Sequence, residues 1–269
     1  MNSRILSISA AFIIAAHLTA GNFASAAIET FDTPVVTSAT QAPGVWYTDR
    51  YAPAGFSSPV SFGGDNRLQQ TISAADGANS RPGSFNSSFY NTQGRKFDLA
   101  AGTTSIQIDL YIPGYYQNTV SRMAGFWGTA FDGTGYTNGD ITAYPIIEFT
   151  SDGSDPRFRG WDNATGLFTD MGLPTGFAYD TWQTLVIDLV GSNFVYTVGD
   201  LVLSTSAEGS ASIGNTILQG HNTTGGINYT IYWDNLANTG VVPEPATILV
   251  WTGIATCAGL AYLRKQRSA

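Results

Sequence analysis

Cysteine is almost missing from this chain. Cys257 is the only one in 269 residues, and it lies in an apolar stretch near the end. The preceding region can form no disulfide of its own and must be stabilised by core burial. Histidine is equally scarce, with His17 and His221 alone. A zinc site built from His and Cys is therefore excluded. A Ser-His-Asp arrangement would have to use His221, which sits in GHNTTGG (220–226), a sequence that reads as a polar turn.

Charge is also low. Charged residues make up 12% of the chain, against roughly 25% in soluble domains. Of the twelve basic residues, Arg4 stands at the start and Arg264, Lys265 and Arg267 at the end. Between them lie eight bases and nineteen acids, a net of -11. Nucleic acid is thus excluded as a partner, because binding it needs phosphate-neutralising Lys and Arg. Such an acidic balance suits cations or neutral glycans.

A long helical period is missing between about 27 and 240, where turn residues separate short alternating runs. In SIQIDLYIP (105–113), Ile106, Ile108, Leu110 and Ile112 share one face while Gln107, Asp109 and Tyr111 share the other. TWQTLVIDLV (181–190) alternates in the same way, and strands are also expected at 193–198, 201–205 and 228–235. Earlier candidates are 45–51, 67–73, 85–91 and 146–150. Thirty glycines and 13% aromatics fit strands joined by tight turns. The spacing predicts one all-β domain over 27–240, an antiparallel β-sandwich.

Both ends read as addresses. Residues 1–26 have Arg4, an apolar core over 5–16 and the small-residue pattern Ala24-Ser25-Ala26, which together make a secretory signal peptide cleaved after Ala26. Residues 246–263 carry no charge. At about 1.5 Å per residue they reach nearly across a bilayer core of about 30 Å, as a transmembrane helix would. Arg264, Lys265 and Arg267 follow directly, and basic residues hold such an end in the cytoplasm. The domain would then be outside.

Pro243-Glu244-Pro245, the apolar run and the basic tail at 264–269 together resemble the PEP-CTERM sorting signal of polysaccharide-producing bacteria. The resemblance implies recognition of Pro243, Glu244 and Pro245 by exosortase, a membrane-embedded protease. The segment 241–269 would then be a removable anchor, leaving the domain at the cell surface or in the extracellular matrix. Proline keeps this segment extended, as a protease requires.

The domain resembles the concanavalin A-like jelly rolls, a group that includes laminin-G-like and legume-lectin-like modules. This likeness rests on GRKFDLAAGTTSIQIDLYIP (94–113), YDTWQTLVIDLVGSNFVYTVGDLVL (179–203) and YTIYWDNL (229–236). Some members are glycoside hydrolases, which need a carboxylate pair. Glu29, Glu148 and Glu208 are the only glutamates before the tail. None lies in the Glu-x-Asp-x-x-Glu strand of the retaining enzymes, although aspartates such as Asp109 and Asp234 could converge. The chain is accordingly expected not to be an enzyme.

Binding chemistry is better supplied. Aromatic rings stack on the apolar faces of sugars, and Trp46, Tyr47, Trp127 and Trp161 are the candidates for glycan contact, with Tyr51, Tyr115, Tyr116 and Tyr136 in reserve. Trp182 and Trp233 read as core. Calcium, which takes six to eight oxygens, is a candidate cofactor at Asp132 and Asp140 in one glycine-rich loop, and at Asp152, Asp155 and Asp162 in a second region. The expectation is a surface protein that binds extracellular polysaccharide in a biofilm-like matrix. A matrix protein with no defined ligand and a polysaccharide hydrolase are the alternatives.

Overall fold

The computed structural model describes residues 26–74, 92–118, 122–151, 155–221 and 228–238. Among these residues two sheets pack face to face, with strands numbered along the chain. The first sheet has eight strands. Its order is β15 (Leu201–Ser206), β14 (Asn193–Val198), β13 (Thr181–Val190), β7 (Ser105–Ile112), β17 (Tyr229–Asn238), β5 (Asp65–Ile72) and β4 (Gly55–Phe62), with β1 (Ala26–Glu29) also pairing to β17. The second sheet has nine. It runs β12 (Leu167–Gly172), β11 (Arg157–Asp162), β10 (Ile146–Thr150), β8 (Arg122–Phe131), β16 (Ser212–His221), β6 (Thr92–Asp98), β3 (Trp46–Thr48) and β2 (Thr37–Ser38), with β9 (Ile141–Ala143) on the end of β8. Every pairing is antiparallel except the short one between β2 and β3.

Alternation builds the core. Ile106, Ile108, Leu110 and Ile112 of β7 point inward beside Leu185 and Ile187 of β13 and Ile231 and Trp233 of β17. Phe126, Ile147, Phe149, Phe158 and Leu218 meet them from the second sheet. Burying each such side chain stabilises the fold by roughly 1.5–3 kcal/mol. Polar links also cross this layer, among them Gln70 of β5, which accepts the Trp233 indole N–H at 2.9 Å and donates to the carbonyl of Gln93, also at 2.9 Å, in the facing sheet.

The all-β sandwich expected from the sequence is present, and β10, β13 and β14 have the expected limits. His221 differs from its expected place. It ends β16, fully buried, rather than standing in a polar turn. Trp182 also differs, being half-buried on the outer face of the first sheet, whereas Trp233 is core. The expected strand at 85–91 lies outside the described residues, as do Ala24, Asp152, Pro243, Glu244, Pro245, Arg264, Lys265, Arg267 and the apolar segment 246–263. Ala26 is described: it opens β1 opposite Asn238. Among the described residues no helix is long and apolar enough to cross a membrane.

Candidate functional site

The register of the second sheet arranges its outer face in rows. One row runs Gly94, Gln219, Gly125, Glu148, Arg159, Asp170. The next runs Tyr47, Lys96, Ile217, Trp127, Ile146. A third brings together Asp98, Asn215 and Thr129.

The middle of this face is closed. Trp127, Ile146 and Ile217 are fully buried and form a second small core under Tyr144, Trp161 and Phe168. The Arg50 guanidinium lies 5.1 Å from the Trp127 ring centre. Beside it Glu148 is buried and held by Arg159, at 2.8 Å to Nε and 2.6 Å to Nη2. Trp127 therefore has no exposed ring face for a sugar, and of the tryptophans expected to do so only Trp161 remains half-exposed. Trp46 also fails that expectation, because inward-facing alternation on β3 places its indole in the main core against Phe56 and Phe97, each 5.2 Å away. Tyr116 is fully buried as well.

The face opens at the third row. A polar cleft of about 230 Å³ lies between β3, β6, β8 and β16 and the loop that carries Tyr136 and Asn138. Tyr47, Asp49, Lys96, Thr129 and Asn215 line it. An adjoining cleft of about 190 Å³ is walled by Leu99, Ala101, Phe131 and Gly214, with Asp98 at its edge. Asp98 accepts hydrogen bonds from the Tyr47 hydroxyl and from Gln41 Nε2, both at 2.7 Å. Burial, and then the Asp98 carboxylate, push the Tyr47 hydroxyl far above its usual range, so it stays a donor. Asp49 is bound by Arg50 at 2.7 Å and Lys96 at 3.3 Å.

Two groups at this cleft lack protein partners. Thr129 Oγ1 and Asn215 Oδ1 are buried, and neither makes a hydrogen bond. Local structure explains their position. The pairing of β16 with β8 slips between Ile213 and Asn215. Gly214 at this slip has no side chain to collide with the rings of Phe131 and Tyr136, which a Cβ would meet at 2.5 and 2.9 Å. The slip and the missing side chain let the two rings close one wall while Asn215 faces the opening.

The aspartates expected to hold calcium serve their own turns. Asp132 accepts from the Thr134 backbone N–H at 2.8 Å and its hydroxyl at 2.7 Å, which keeps the Asp132 carboxyl below the usual range. Asp140 accepts from the Thr137 N–H at 2.9 Å and its hydroxyl at 2.7 Å, and so shapes the rim of the polar cleft. Asp162 accepts from the Ala164 N–H at 3.0 Å, and Asp155 is exposed. Among the described residues no three acidic, His or Cys side chains converge as a metal site would require.

The outer face of the first sheet carries a different constellation. Trp182, Tyr111 and Tyr232 lie side by side on β13, β7 and β17, with Phe62 packed against all three rings. In the next row Asp109 and Asp234 stand directly opposite each other. Asp109 accepts from the Thr184 hydroxyl at 2.6 Å and from Asn235 Nδ2 at 2.8 Å. Asn235 adopts a left-handed φ of 51°, which asparagine tolerates better than most residues. Asp234 pairs with Arg67 at 2.7 Å, as does Asp65. Burial pushes the Asp234 carboxyl up to about 6, with Asp65 and Asp109 adding to the effect and Arg67 opposing it.

No protein-family model matches the sequence, and no curated protein matches it either. Solved structures do. Its structural neighbours are concanavalin A-like jelly rolls. A glycoside hydrolase family 16 endo-glucanase from Bacteroides ovatus aligns over 77% of this chain and 98% of its own, with 10% identity and a TM-score of 0.47. A beta-glucanase from Bacillus licheniformis covers 75% and 95%, with 13% identity and a TM-score of 0.43. The carbohydrate-binding module CBM66 from Bacillus subtilis covers 76% and 98%, with 13% identity and a TM-score of 0.36. A sialidase also matches, but this chain spans only 16% of its length. At these identities the likeness is one of fold. It nevertheless corrects one expectation: with glucanases among the neighbours, the reading of the chain as a non-enzyme does not stand and is withdrawn.

Sequence reasoning singled out Tyr47 and the loop of Asp132 and Asp140, which do border the cleft, but it passed over Thr129, Asn215 and Lys96. The only signal for them was Gly214, in mid-strand between Ile213 and Asn215, where a register slip is allowed.

Proposed function

We propose that this sandwich recognises a glycan, bound in the polar cleft of the second sheet. The observation that carries the reading is the pair of buried, unpartnered groups, Thr129 Oγ1 and Asn215 Oδ1. Leaving such a group without a partner costs roughly 1–3 kcal/mol. Sugar hydroxyls that reach them through a small side-chain shift would satisfy both, with the exposed Tyr136 supplying ring surface at the rim. The test is saturable binding of the protein to the polysaccharide of its host, compared with Asn215→Leu and Thr129→Val. A loss of at least tenfold in affinity in both variants is the expected result. Unchanged binding overturns the reading, and absence of any binding leaves the sandwich as a structural spacer.

A second reading, a glycoside hydrolase, is favoured by Asp109 and Asp234. Side chains directly opposite on neighbouring strands have Cβ atoms about 4.5–5.5 Å apart, near enough for both carboxyls to flank one glycosidic bond. Asp234, with its carboxyl pushed up to about 6, would be the acid, Asp109 its partner, and the Trp182–Tyr111–Tyr232 row the sugar platform. Release of reducing ends from a β-glucan, falling at least about 100-fold in both Asp109→Asn and Asp234→Asn, is the expected signature. Turnover that survives both changes sinks this reading.

For the cellular setting, the proposal is export through the signal peptide and processing by exosortase at Pro243-Glu244-Pro245. The domain would thereby be delivered to extracellular polysaccharide. Replacing all three residues by alanine in the native host should leave the protein membrane-bound at its unprocessed mass. An unchanged mature mass refutes the sorting role.

A further inference from the structure

We infer that the cleft takes an acetamido sugar, with the pyranose ring in the polar compartment and the acetamido group in the less polar one beside it; this rests on the glycan reading above. The two compartments share Phe131, Tyr136 and Asn215 as a common wall, so a single ligand can reach both. They differ in chemistry. Asp49, Lys96, Thr129 and Asn138 line the larger one, which suits a ring bearing several hydroxyls. Leu99, Ala101 and Phe131 give the smaller one an apolar wall, which suits a methyl group, while Gln41, Asp98 and Asn215 line its other side.

The smaller compartment is built rather than incidental. The Leu99 N–H donates to the Gly214 carbonyl at 2.9 Å, which ties the turn after β6 to the register slip of β16. Gly102 at φ 79° lets that turn reverse within a few residues, leaving Ala101 exposed at its lip. Asn215 stands between the compartments with its buried Oδ1 lacking a donor. An acetamido group supplies what this geometry lacks: an N–H for Asn215 Oδ1, and a methyl for the Leu99–Ala101–Phe131 wall. A plain hydroxyl at the same position would satisfy Asn215 but leave the apolar wall wet. A uronate would bring its negative charge towards Asp49 and Asp98.

The test uses the full chain and three soluble probes of one backbone geometry: the β-1,4-linked tetramer of N-acetylglucosamine, its de-N-acetylated form, and cellotetraose. Affinities are measured by titration calorimetry. The acetylated tetramer should bind at least tenfold more tightly than either other probe. In Ala101→Trp, which fills the smaller compartment from an exposed turn, the ratio should fall to about one, with the melting temperature recorded to show that the variant is folded. Equal binding of the acetylated tetramer and cellotetraose overturns the acetamido inference and leaves the glycan reading standing. Tighter binding of the de-N-acetylated tetramer also overturns it, since the aspartates would then be selecting a cation. No binding of any tetramer overturns the acetamido inference, and only failure to bind the host's polysaccharide as well overturns both.

Discussion

Asp109 and Asp234 face each other across β7 and β17, yet they are held in opposite ways. Asp109 is half-exposed and takes hydrogen bonds from Thr184 and Asn235. Asp234 is buried beneath Arg67 and keeps one oxygen, Oδ1, without a partner. This inequality separates the behaviour of two otherwise identical side chains.

It has a consequence for stability against pH. The Asp234 carboxyl is raised to about 6 in the folded protein, above roughly 3.9 in an unfolded chain. The folded state therefore holds this proton more tightly. The resulting stability is fully present below pH 4 and is lost as pH rises through 6. Asp234→Asn removes the titration. Its melting temperature relative to the parent should rise between pH 4 and pH 6.5 and then level off. A difference that stays flat over that range would show that burial does not shift this group.

Gln70 offers a second test. Its amide joins Trp233 in one sheet to the carbonyl of Gln93 in the other. Gln70→Leu keeps much of the side-chain volume but strands the buried indole N–H and takes one donor from the Gln93 carbonyl. The expected loss is about 2–3 kcal/mol, or a melting temperature lower by roughly 4–12 °C for a domain of this size. Trp233→Phe strands the Gln70 oxygen alone and should cost less polar energy, with a packing loss added. Thermal unfolding followed by near-ultraviolet circular dichroism measures both.

The cleft makes a reciprocal prediction. Because Thr129 Oγ1 and Asn215 Oδ1 are buried without partners, Thr129→Val replaces a stranded hydroxyl by a methyl of the same shape. The unliganded protein should gain about 1 kcal/mol in chemical denaturation while losing affinity for glycan. Lower stability together with unchanged binding would mean that the hydroxyl has a structural partner after all.

Gly160 tests the packing of β11 against the first sheet. A Cβ there would lie 2.6 Å from Leu203 Cδ2 and 3.0 Å from the Tyr196 ring. Gly160→Ala should cost about 1–3 kcal/mol through overpacking. The hydrogen bond from Tyr196 to the Trp161 carbonyl, at 2.9 Å, would be displaced with it. Wild-type stability would show that β11 can shift outward freely.

The legible strands were those with one wet face. β7 and β13 alternate because their outer residues meet solvent, so their limits could be read directly. β16 was invisible for the opposite reason: all ten of its residues are buried, on both faces, so polar and apolar residues follow no period. β8 has the same problem, with Gly125 and Gly128 in mid-strand. These two strands supply Thr129 and Asn215, and the cleft stayed hidden along with them. The tryptophans misled for a related reason. A ring in a glycine-rich neighbourhood resembles a surface feature, whereas Trp46 packs into the main core and Trp127, lying close over Gly125, into the small core on the outer face. Asp109 and Asp234 could be named as a pair able to converge, but their direct opposition could not be read, since register between strands more than a hundred residues apart is a tertiary property.

β17 is an interior strand of its sheet, bonded to β7 along one edge and to β5 and β1 along the other. The chain beyond Asn238 leads on from its end. Any tension arriving from that direction enters along the strand axis and strains both ladders at once, in shear, rather than opening them one bond at a time. A domain hung by this strand would be gripped along a line bonded on both edges, so drag on whatever it holds would be carried by many hydrogen bonds in parallel.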